Sequence, residues 1–180
     1  MFFKQRFVHV LTGALVGLCL AAPAKVFYTR DAALTAFFPG AEIKRETVYL
    51  EPDQRKRIEQ LAGTALSGGI LYRYRAEVDG VVQGVAFMDA HRVRTLPETL
   101  MVALAPGGTV KGLSVMVFNE PQEYLCPKKW YQQFIGRKLD GDLALKKGID
   151  GMTGATLTAR ATTQCVRRVL AIDQVPSLAK

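Results

Sequence analysis

The sequence predicts an α+β fold in which helices pack on a twisted, mainly antiparallel sheet. Two patterns support this prediction. In the middle of the chain, short runs of alternating apolar and polar residues are separated by turn sequences such as Asp79-Gly80, which favours a tight hairpin. Near the C-terminus, apolar residues between Leu157 and Ile172 recur with the 3.6-residue period of an amphipathic helix.

The N-terminal part of the chain carries signals for two helices and one strand. Residues 30–38 favour a short helix that ends at Pro39-Gly40, because proline and glycine interrupt helices. Residues 42–50 alternate well enough for a strand. The sequence Glu51-Pro52-Asp53 then predicts a second helix that runs to about Ala62, with Asp53 as its N-cap.

The remaining strands form a predicted meander, which precedes the last helix. Turns of this meander lie at Asp79-Gly80 and Pro106-Gly107-Gly108. A break at residues 63–69 divides an N-terminal helix-strand-helix segment, residues 25–64, from a main domain of residues 65–175. The predicted strands of the main domain are residues 70–78, 81–89, 100–104 and 111–118.

The first 24 residues have the pattern of a secretory signal peptide. A basic start with Lys4 and Arg6 precedes an apolar stretch, residues 7–20, and Ala22-Pro23-Ala24 offers a cleavage site. The alternative is an uncleaved membrane anchor, since residues 7–24 approach the minimum length for crossing a bilayer. The sequence therefore predicts a periplasmic protein or one held at the outer face of the cytoplasmic membrane.

Charge and cysteine content narrow the function classes. The formal net charge is +8, or +6 without Lys4 and Arg6, but basic and acidic residues are interspersed, which is typical of a solvated surface. We therefore expect no nucleic-acid partner and at most a weak association with a membrane. Cys126 and Cys165 remain after processing, and the sequence does not decide whether they form a disulfide. The chain has two histidines, and no metal-ligand spacing is visible.

The most informative segment is residues 150–158, with the sequence DGMTGATLT. Two small residues, Gly154 and Ala155, precede the hydroxyl of Thr156 and leave room around it. When the helical wheel of the last helix is extended backwards, Thr156 lies on the solvent side. It also lies at a helix N-terminus, which attracts anions. The segment therefore suits a surface-attached group that carries a phosphate.

The same segment also allows a simpler interpretation. Thr153 or Asp150 would then be the N-cap of the last helix, and no cofactor would be involved. The four residues Thr153–Thr156 alone do not decide between a site for an attached group and an ordinary helix cap. Asp150, Thr158 and the order of motifs in the rest of the chain favour the site for an attached group.

Residues 150–158 resemble the flavinylation motif of the periplasmic FMN-binding domain family, in which FMN is esterified through its phosphate to a threonine. Known members include the C subunit of the sodium-translocating NADH:quinone oxidoreductase and the G subunit of the Rnf complex. The similarity covers about residues 65–172, although Gln122 and Glu123 replace a glycine-rich continuation found in those members. Further segments that follow the family pattern in order are residues 84–87, 97–99, 112–115, 119–121 and Trp130 with Phe134 and Gly136.

The resemblance implies that Thr156 carries FMN covalently, through a phosphothreonyl linkage. Trp130 either stacks on the flavin or covers the sheet, and both roles are open. Glu120 and Glu98 either hydrogen-bond the flavin or serve as solvated or capping residues. The other residues that we expect to contribute to cofactor binding are the motif neighbours Asp150, Thr153, Gly154, Ala155, Leu157 and Thr158.

The leading hypothesis is an exported electron-transfer flavoprotein rather than a stand-alone enzyme. No nucleophile, base and orienting group can be assembled from the sequence, so no catalytic residues are predicted. The resemblance implies two kinds of partner: an FAD-dependent FMN transferase that installs the flavin, and membrane or periplasmic redox proteins. The alternatives are the flavin module of a periplasmic reductase that acts directly on a small acceptor, and a non-redox assembly module of the cell envelope.

Overall fold

The computed structural model describes residues 25–175. The predicted signal peptide or anchor, residues 1–24, lies outside this range. Single turns of 3-10 helix occur at Gln122–Tyr124 and Gln132–Phe134. The strands and α-helices of the described residues are β1 (Lys25–Val26), α1 (Arg30–Phe37), β2 (Glu42–Tyr49), α2 (Pro52–Ala62), β3 (Ile70–Val78), β4 (Val81–Arg92), β5 (Pro97–Ala105), β6 (Thr109–Phe118), α3 (Lys128–Tyr131) and α4 (Thr156–Asp173).

The strands form one antiparallel sheet in the order β1-β6-β5-β4-β3-β2. From β2 to β6 each strand pairs with the next along the chain, so the predicted meander and the predicted α+β class are confirmed. Residues 25–64 contribute β1, α1, β2 and α2 to the same layers as the rest. None of the helices within residues 25–175 is long and apolar enough to cross a membrane.

Helices cover both faces of the sheet. On one face α2 and α4 pack together over side chains that include Phe87 and Val102. On the other face α1 covers Ala86 and Met101. Neighbouring residues thus point to opposite layers, as the two-residue period of a strand requires. Strand β5 lies in the middle and is buried along most of its length.

Several element boundaries differ from the predicted ones. Strand β4 continues to Arg92 and β5 begins at Pro97, because the pairing of His91 with Glu98 extends the ladder beyond the region of alternating hydrophobicity. The predicted N-cap of α2, Asp53, is wrong. Pro52 occupies the first helical position, where a missing N–H costs nothing, and Glu51 is the N-cap. β1 and α3 had no sequence signal of their own.

The two cysteines of the described chain are not paired. Cys126 and Cys165 are both buried and carry free thiols. Burial raises the pKa of Cys126 to about 12 and that of Cys165 well above its usual range. Neither thiol is therefore reactive at neutral pH, and both serve as small core residues.

One glycine in β4 is required by close packing. The ladder between β3 and β4 contains a bulge at Gln83, directly before Gly84, whose φ is +148°. A Cβ at this position would overlap the carbonyl oxygen of Leu104 and lie 2.7 Å from Cε1 of Phe38. By contrast, Gly80 in the Asp79-Gly80 turn has φ +77°, but no atom lies within 4 Å of where its Cβ would be.

We predict that Gly84→Ala lowers the free energy of unfolding by about 2–4 kcal/mol, because it combines backbone strain with overpacking. Gly80→Ala carries only the backbone strain and should cost about 1 kcal/mol. Urea denaturation of the two variants and the wild type measures both losses. Equal losses would contradict the role assigned to the contacts of Gly84.

Candidate functional site

The segment before α4 forms a loop, and side chains of residues 130–133 hold it by hydrogen bonds to its backbone. Nε1 of Trp130 donates to the carbonyl oxygen of Asp150 at 2.8 Å, and the Asp150 N–H donates to Oε1 of Gln133 at 2.7 Å. Trp130 is 6% exposed and meets Phe134 edge-on, with ring centroids 5.3 Å apart. The structure thus places Trp130 in the core, where it fixes the loop and covers the sheet.

The loop turns the hydroxyl of Thr156 outward. Gly154 has φ +84°, a left-handed conformation that favours glycine, while Ala155 is 4% exposed and has its methyl group in the core. Thr156 is exposed, as the helical wheel predicted. Its Oγ1 donates to the carbonyl oxygen of Met152 at 3.2 Å. The two small residues are therefore needed for the turn as well as for access to the hydroxyl.

The N-terminus of α4 has no side-chain cap. Its N-cap is Ala155, not Thr153 or Asp150, so the interpretation of the segment as an ordinary capping sequence is wrong. The first amides of a helix lack acceptors within it, and the macrodipole adds partial positive charge there. An anion attached to Thr156 would be stabilised by both effects.

The next threonine has a different environment. Thr158 is completely buried, and its Oγ1 donates to the carbonyl oxygen of Tyr124 at 2.5 Å. This bond ties the first turn of α4 to the 3-10 turn Gln122–Tyr124. Leu157 is 43% exposed. Thr158 therefore positions the helix, and its hydroxyl is unavailable for modification, whereas Thr153 is exposed in the loop.

A cleft of about 200 Å³ opens beside Thr156. It is lined by residues 154–158, by Tyr124, and by Val93 and Arg94 from the turn between β4 and β5. The guanidinium of Arg94 lies 5.9 Å from the ring centroid of Tyr124. The cleft therefore combines an aromatic ring and a cation with the positive end of a helix.

Glu120 holds the turn that carries Arg94. It is 5% exposed, and its Oε1 accepts hydrogen bonds from the N–H groups of Arg94, Thr95 and Leu96 at 3.1, 2.6 and 2.7 Å. Burial is the largest single influence on the pKa of Glu120 and raises it, but the three backbone donors together lower it below its usual value. Glu120 was predicted to contact the flavin, and the structure places it behind the cleft, as a support for the turn.

The sequence did not single out the cleft residues outside the motif. In the sequence, Arg94 follows His91 and Arg92 in an alternating basic run, which is the pattern of an exposed strand face, but the structure buries His91, which is 9% exposed. Arg94 and Tyr124 lie 62 and 32 positions before Thr156 in the sequence, and no spacing rule connects them with it. The sequence signal that pointed towards this part of the site was Glu120, an acidic residue that follows β6 and precedes Pro121.

A buried ion-pair network fastens α4 to the sheet. Nε and Nη2 of Arg168 donate to the two carboxylate oxygens of Asp89 at 2.9 and 2.7 Å. Oδ1 of Asp89 also lies 2.8 Å from Nδ1 of His91, and Nε2 of His91 lies 3.1 Å from Oε2 of Glu98. Glu98 is completely buried. It was predicted to bind the flavin, and the structure places it in this network, away from the cleft lining.

The network shifts the pKa values of its members. For His91, burial is the largest single influence and lowers the pKa, but the carboxylates of Asp89 and Glu98 outweigh it and raise the pKa above its usual value. For Asp89, burial likewise acts upward, but His91 and Arg168 lower the pKa to about 2. Burial raises the pKa of Glu98. The network therefore favours a protonated His91 between two carboxylates.

The same cluster is poorly suited to a metal ion. Asp89, His91 and Cys165 each place one potential ligand atom within 4.8 Å of the others. However, Arg168 already occupies both oxygens of Asp89, and the thiol of Cys165 stays protonated because burial raises its pKa. A cation would have to displace the guanidinium and ionise the thiol.

A comparison with protein-family models identifies the segment that carries this site. Residues 96–171 match the model of the FMN-binding domain family. This segment is similar to an FMN-binding domain. The matched range includes the motif, Tyr124 and the whole of β5 and β6, so the resemblance to this family and a flavin-binding role are confirmed. A search of curated proteins finds no significant match to the chain.

The residues around Thr156 fit the phosphate end of FMN. The exposed hydroxyl, the uncapped helix N-terminus and Arg94 together favour a phosphate at this position. The cleft, at about 200 Å³, is smaller than the roughly 300–1,000 Å³ of typical small-molecule pockets. It can therefore enclose only part of an FMN molecule, and the rest would extend along the surface.

The ion-pair network predicts how stability depends on pH. Because the pKa of His91 is raised in the folded state, its protonated ring contributes stability that is complete below the unfolded value of 6.5 and is lost as the pH rises through the folded value. We predict that His91→Gln lowers the free energy of unfolding by about 1.5–3 kcal/mol at about pH 6, and by clearly less at about pH 9.5.

Urea denaturation at the two pH values measures these losses. Arg92→Gln is the matched control, because Arg92 is exposed and donates only to the carbonyl oxygen of Thr95 in the adjacent turn. Its small effect should not depend on pH. If the loss in His91→Gln is the same at both pH values, the ring does not gain stability by protonation.

Proposed function

We propose that this protein is an exported electron-transfer flavoprotein in which FMN is bound covalently through its phosphate to Thr156. The flavin would supply one- and two-electron redox chemistry, and the protein would supply attachment, orientation and an electrostatic environment. The proposal includes a periplasmic location or the outer face of the cytoplasmic membrane, which rests on the signal-like pattern of residues 1–24.

The observation that carries the proposal is the position of one hydroxyl. Oγ1 of Thr156 belongs to an exposed residue at the uncapped N-terminus of α4, next to a cleft that contains Arg94. It lies within the segment that matches the FMN-binding domain family. The hydroxyl of Thr158, two residues further on, is buried and donates to a backbone carbonyl. Exposure and the positive helix end thus favour Thr156.

Attachment requires a nucleophile and an activated phosphate. The oxygen of Thr156 would attack the FMN-side phosphorus of FAD, the bond to the bridging oxygen of the pyrophosphate would break, and AMP would leave while the hydroxyl proton passes to a base. No redox change accompanies this step. The chain itself places no carboxylate or histidine in the described cleft lining, so we propose that a separate, magnesium-dependent FMN transferase supplies the base.

The cleft favours an electron carrier over a reductase with its own substrate. Within its described lining, Arg94 and Tyr124 are the titratable side chains, and neither has a partner for general acid–base catalysis there. The small volume also leaves little room for a second substrate beside a flavin. We therefore propose that the flavin exchanges electrons with membrane or periplasmic redox proteins across an exposed edge.

We predict that the intact mass of the protein, produced together with an FMN transferase, increases by one FMN less one water. Thr156→Ser keeps a hydroxyl and should carry the same adduct, whereas Thr156→Val has a similar shape but no hydroxyl and should carry none. Intact mass spectrometry and the visible absorption spectrum measure this directly.

Thr153→Val is the matched control, because Thr153 is also exposed and lies three residues away. This variant should keep the adduct. Urea denaturation verifies that all variants fold. An adduct on Thr156→Val, or its loss from Thr153→Val alone, would show that the acceptor has been assigned to the wrong residue.

A further inference from the structure

The outer edge of β6 is open over residues 111–115, a stretch that we call the β6 slot. At one end of the slot, β1 pairs with the last two residues of β6. At the other end, the N–H of Gly136 donates to the carbonyl oxygen of Val110 at 2.7 Å. Between these ends, no strand of residues 25–175 pairs with this edge. The slot is about 17 Å long, the length of a five-residue strand.

An apolar cleft of about 330 Å³ runs along the slot. Phe37 of α1 forms a wall on one face of the sheet, and Tyr131 of α3 forms a wall on the other. Tyr28 and Ile135, which also line the cleft, are 40% and 56% exposed. A strand added to this edge would direct alternate side chains towards the two walls. The cleft thus matches the two-residue period of an extended chain.

The two edges of the sheet differ in how strongly their side chains discourage pairing with another chain. The opposite edge strand, β2, includes four charged residues in eight, which discourages pairing with other chains. The β6 slot has the sequence KGLSV, with a single charge at its end. An open edge with apolar residues and no internal charge is suited to pairing. This difference favours a binding role for the β6 slot.

We propose that the β6 slot binds an extended segment of a partner protein, which adds a strand to the sheet and carries acidic residues beside alternating apolar ones. Backbone hydrogen bonds to β6 would supply affinity, and the two walls of the cleft would select apolar side chains. Lys111 and Lys128 line the cleft, and its described lining contains no acidic residue. The charge of the cleft therefore selects an acidic segment.

A second copy of this chain does not fit the slot. The positions beyond both of its ends are already filled, by β1 and by residues 136–137. A second β6 would bring the same two obstacles with it, so the two strands could pair only if these segments moved away. A narrow, extended segment meets neither obstacle.

The slot lies next to the cleft beside Thr156, where we propose that FMN is bound. Tyr124 lines the cleft beside Thr156, and the next two residues, Leu125 and Cys126, line the cleft along the slot. Sγ of Cys126 lies 4.0 Å from the carbonyl oxygen of Ala155. A docked partner would therefore be held close to the flavin. Binding of the segment does not require the flavin, whereas its use in electron exchange rests on the proposed function.

Two synthetic peptides test the proposal. Both contain alternating valine and threonine, and one is flanked by glutamates while the other is flanked by lysines. We predict that the glutamate peptide shifts the backbone amide NMR signals of residues 111–115 in the ¹⁵N-labelled protein. Replacing its central residue with proline should weaken binding by about tenfold, because a backbone donor is lost and the strand is interrupted.

Charge reversal provides the second test. The double variant Lys111→Glu, Lys128→Glu should bind the glutamate peptide about tenfold more weakly and should prefer the lysine peptide. The matched control is Lys56→Glu with Arg57→Glu, two exposed residues on α2 that change the net charge equally and should leave binding unchanged.

Each of several results would overturn the proposal: no shifts in residues 111–115 at millimolar peptide, unchanged binding of the proline peptide, or equal weakening in the α2 control. Concentration-dependent dimerisation that protects these amides without peptide would assign the slot to a second copy instead. Measurements on Thr156→Val separate this proposal from the proposed function, since binding should persist there without any flavin.

Discussion

Docking of α4 onto the sheet is the constraint on which the rest of the structure depends. The first residue of this helix must reach the surface, although most of the following turns are buried. Arg168 pairs with Asp89 on the sheet, and the hydroxyl of Thr158 binds the carbonyl oxygen of Tyr124, so the helix is held at two levels. A shift of one residue rotates a helix by about 100° and would turn Thr156 away from the cleft.

Two loops complete the site, and each is held in place by hydrogen bonds between its backbone and a buried polar side chain of the core. A buried carboxylate needs donors, and Glu120 finds three of them in the turn that carries Arg94. An indole N–H needs an acceptor when it is buried, and Trp130 finds one in the loop before α4. Both loops are thereby fixed by the same requirement that buried polar groups be satisfied. The loops that form the surface cleft are thus positioned by buried side chains of the core.

The sequence predicted what depends on local periodicity, and little of what depends on register. Alternation and the 3.6-residue period gave the meander, the last helix and the outward side chain of Thr156. The burial of Glu98 could not be predicted, since it follows from the pairing of Glu98 with His91 across two strands and from the arrival of Arg168 on a distant helix. Arg94 reaches the cleft for a similar reason, because a buried glutamate after β6 positions its turn.

Under the proposed function, the small cleft and the covalent link both serve to keep the flavin accessible to a redox partner without losing it. A pocket that encloses a ligand obtains affinity from the surface that it buries, but the same enclosure keeps a redox partner at a distance. A cleft of about 200 Å³ buries only part of an FMN and would hold it weakly without a bond. The proposed phosphoester to Thr156 would make retention of the FMN independent of buried area. The ring could then stay exposed to a partner held in the adjacent β6 slot, where exposure would aid electron exchange and would not cause loss of the cofactor.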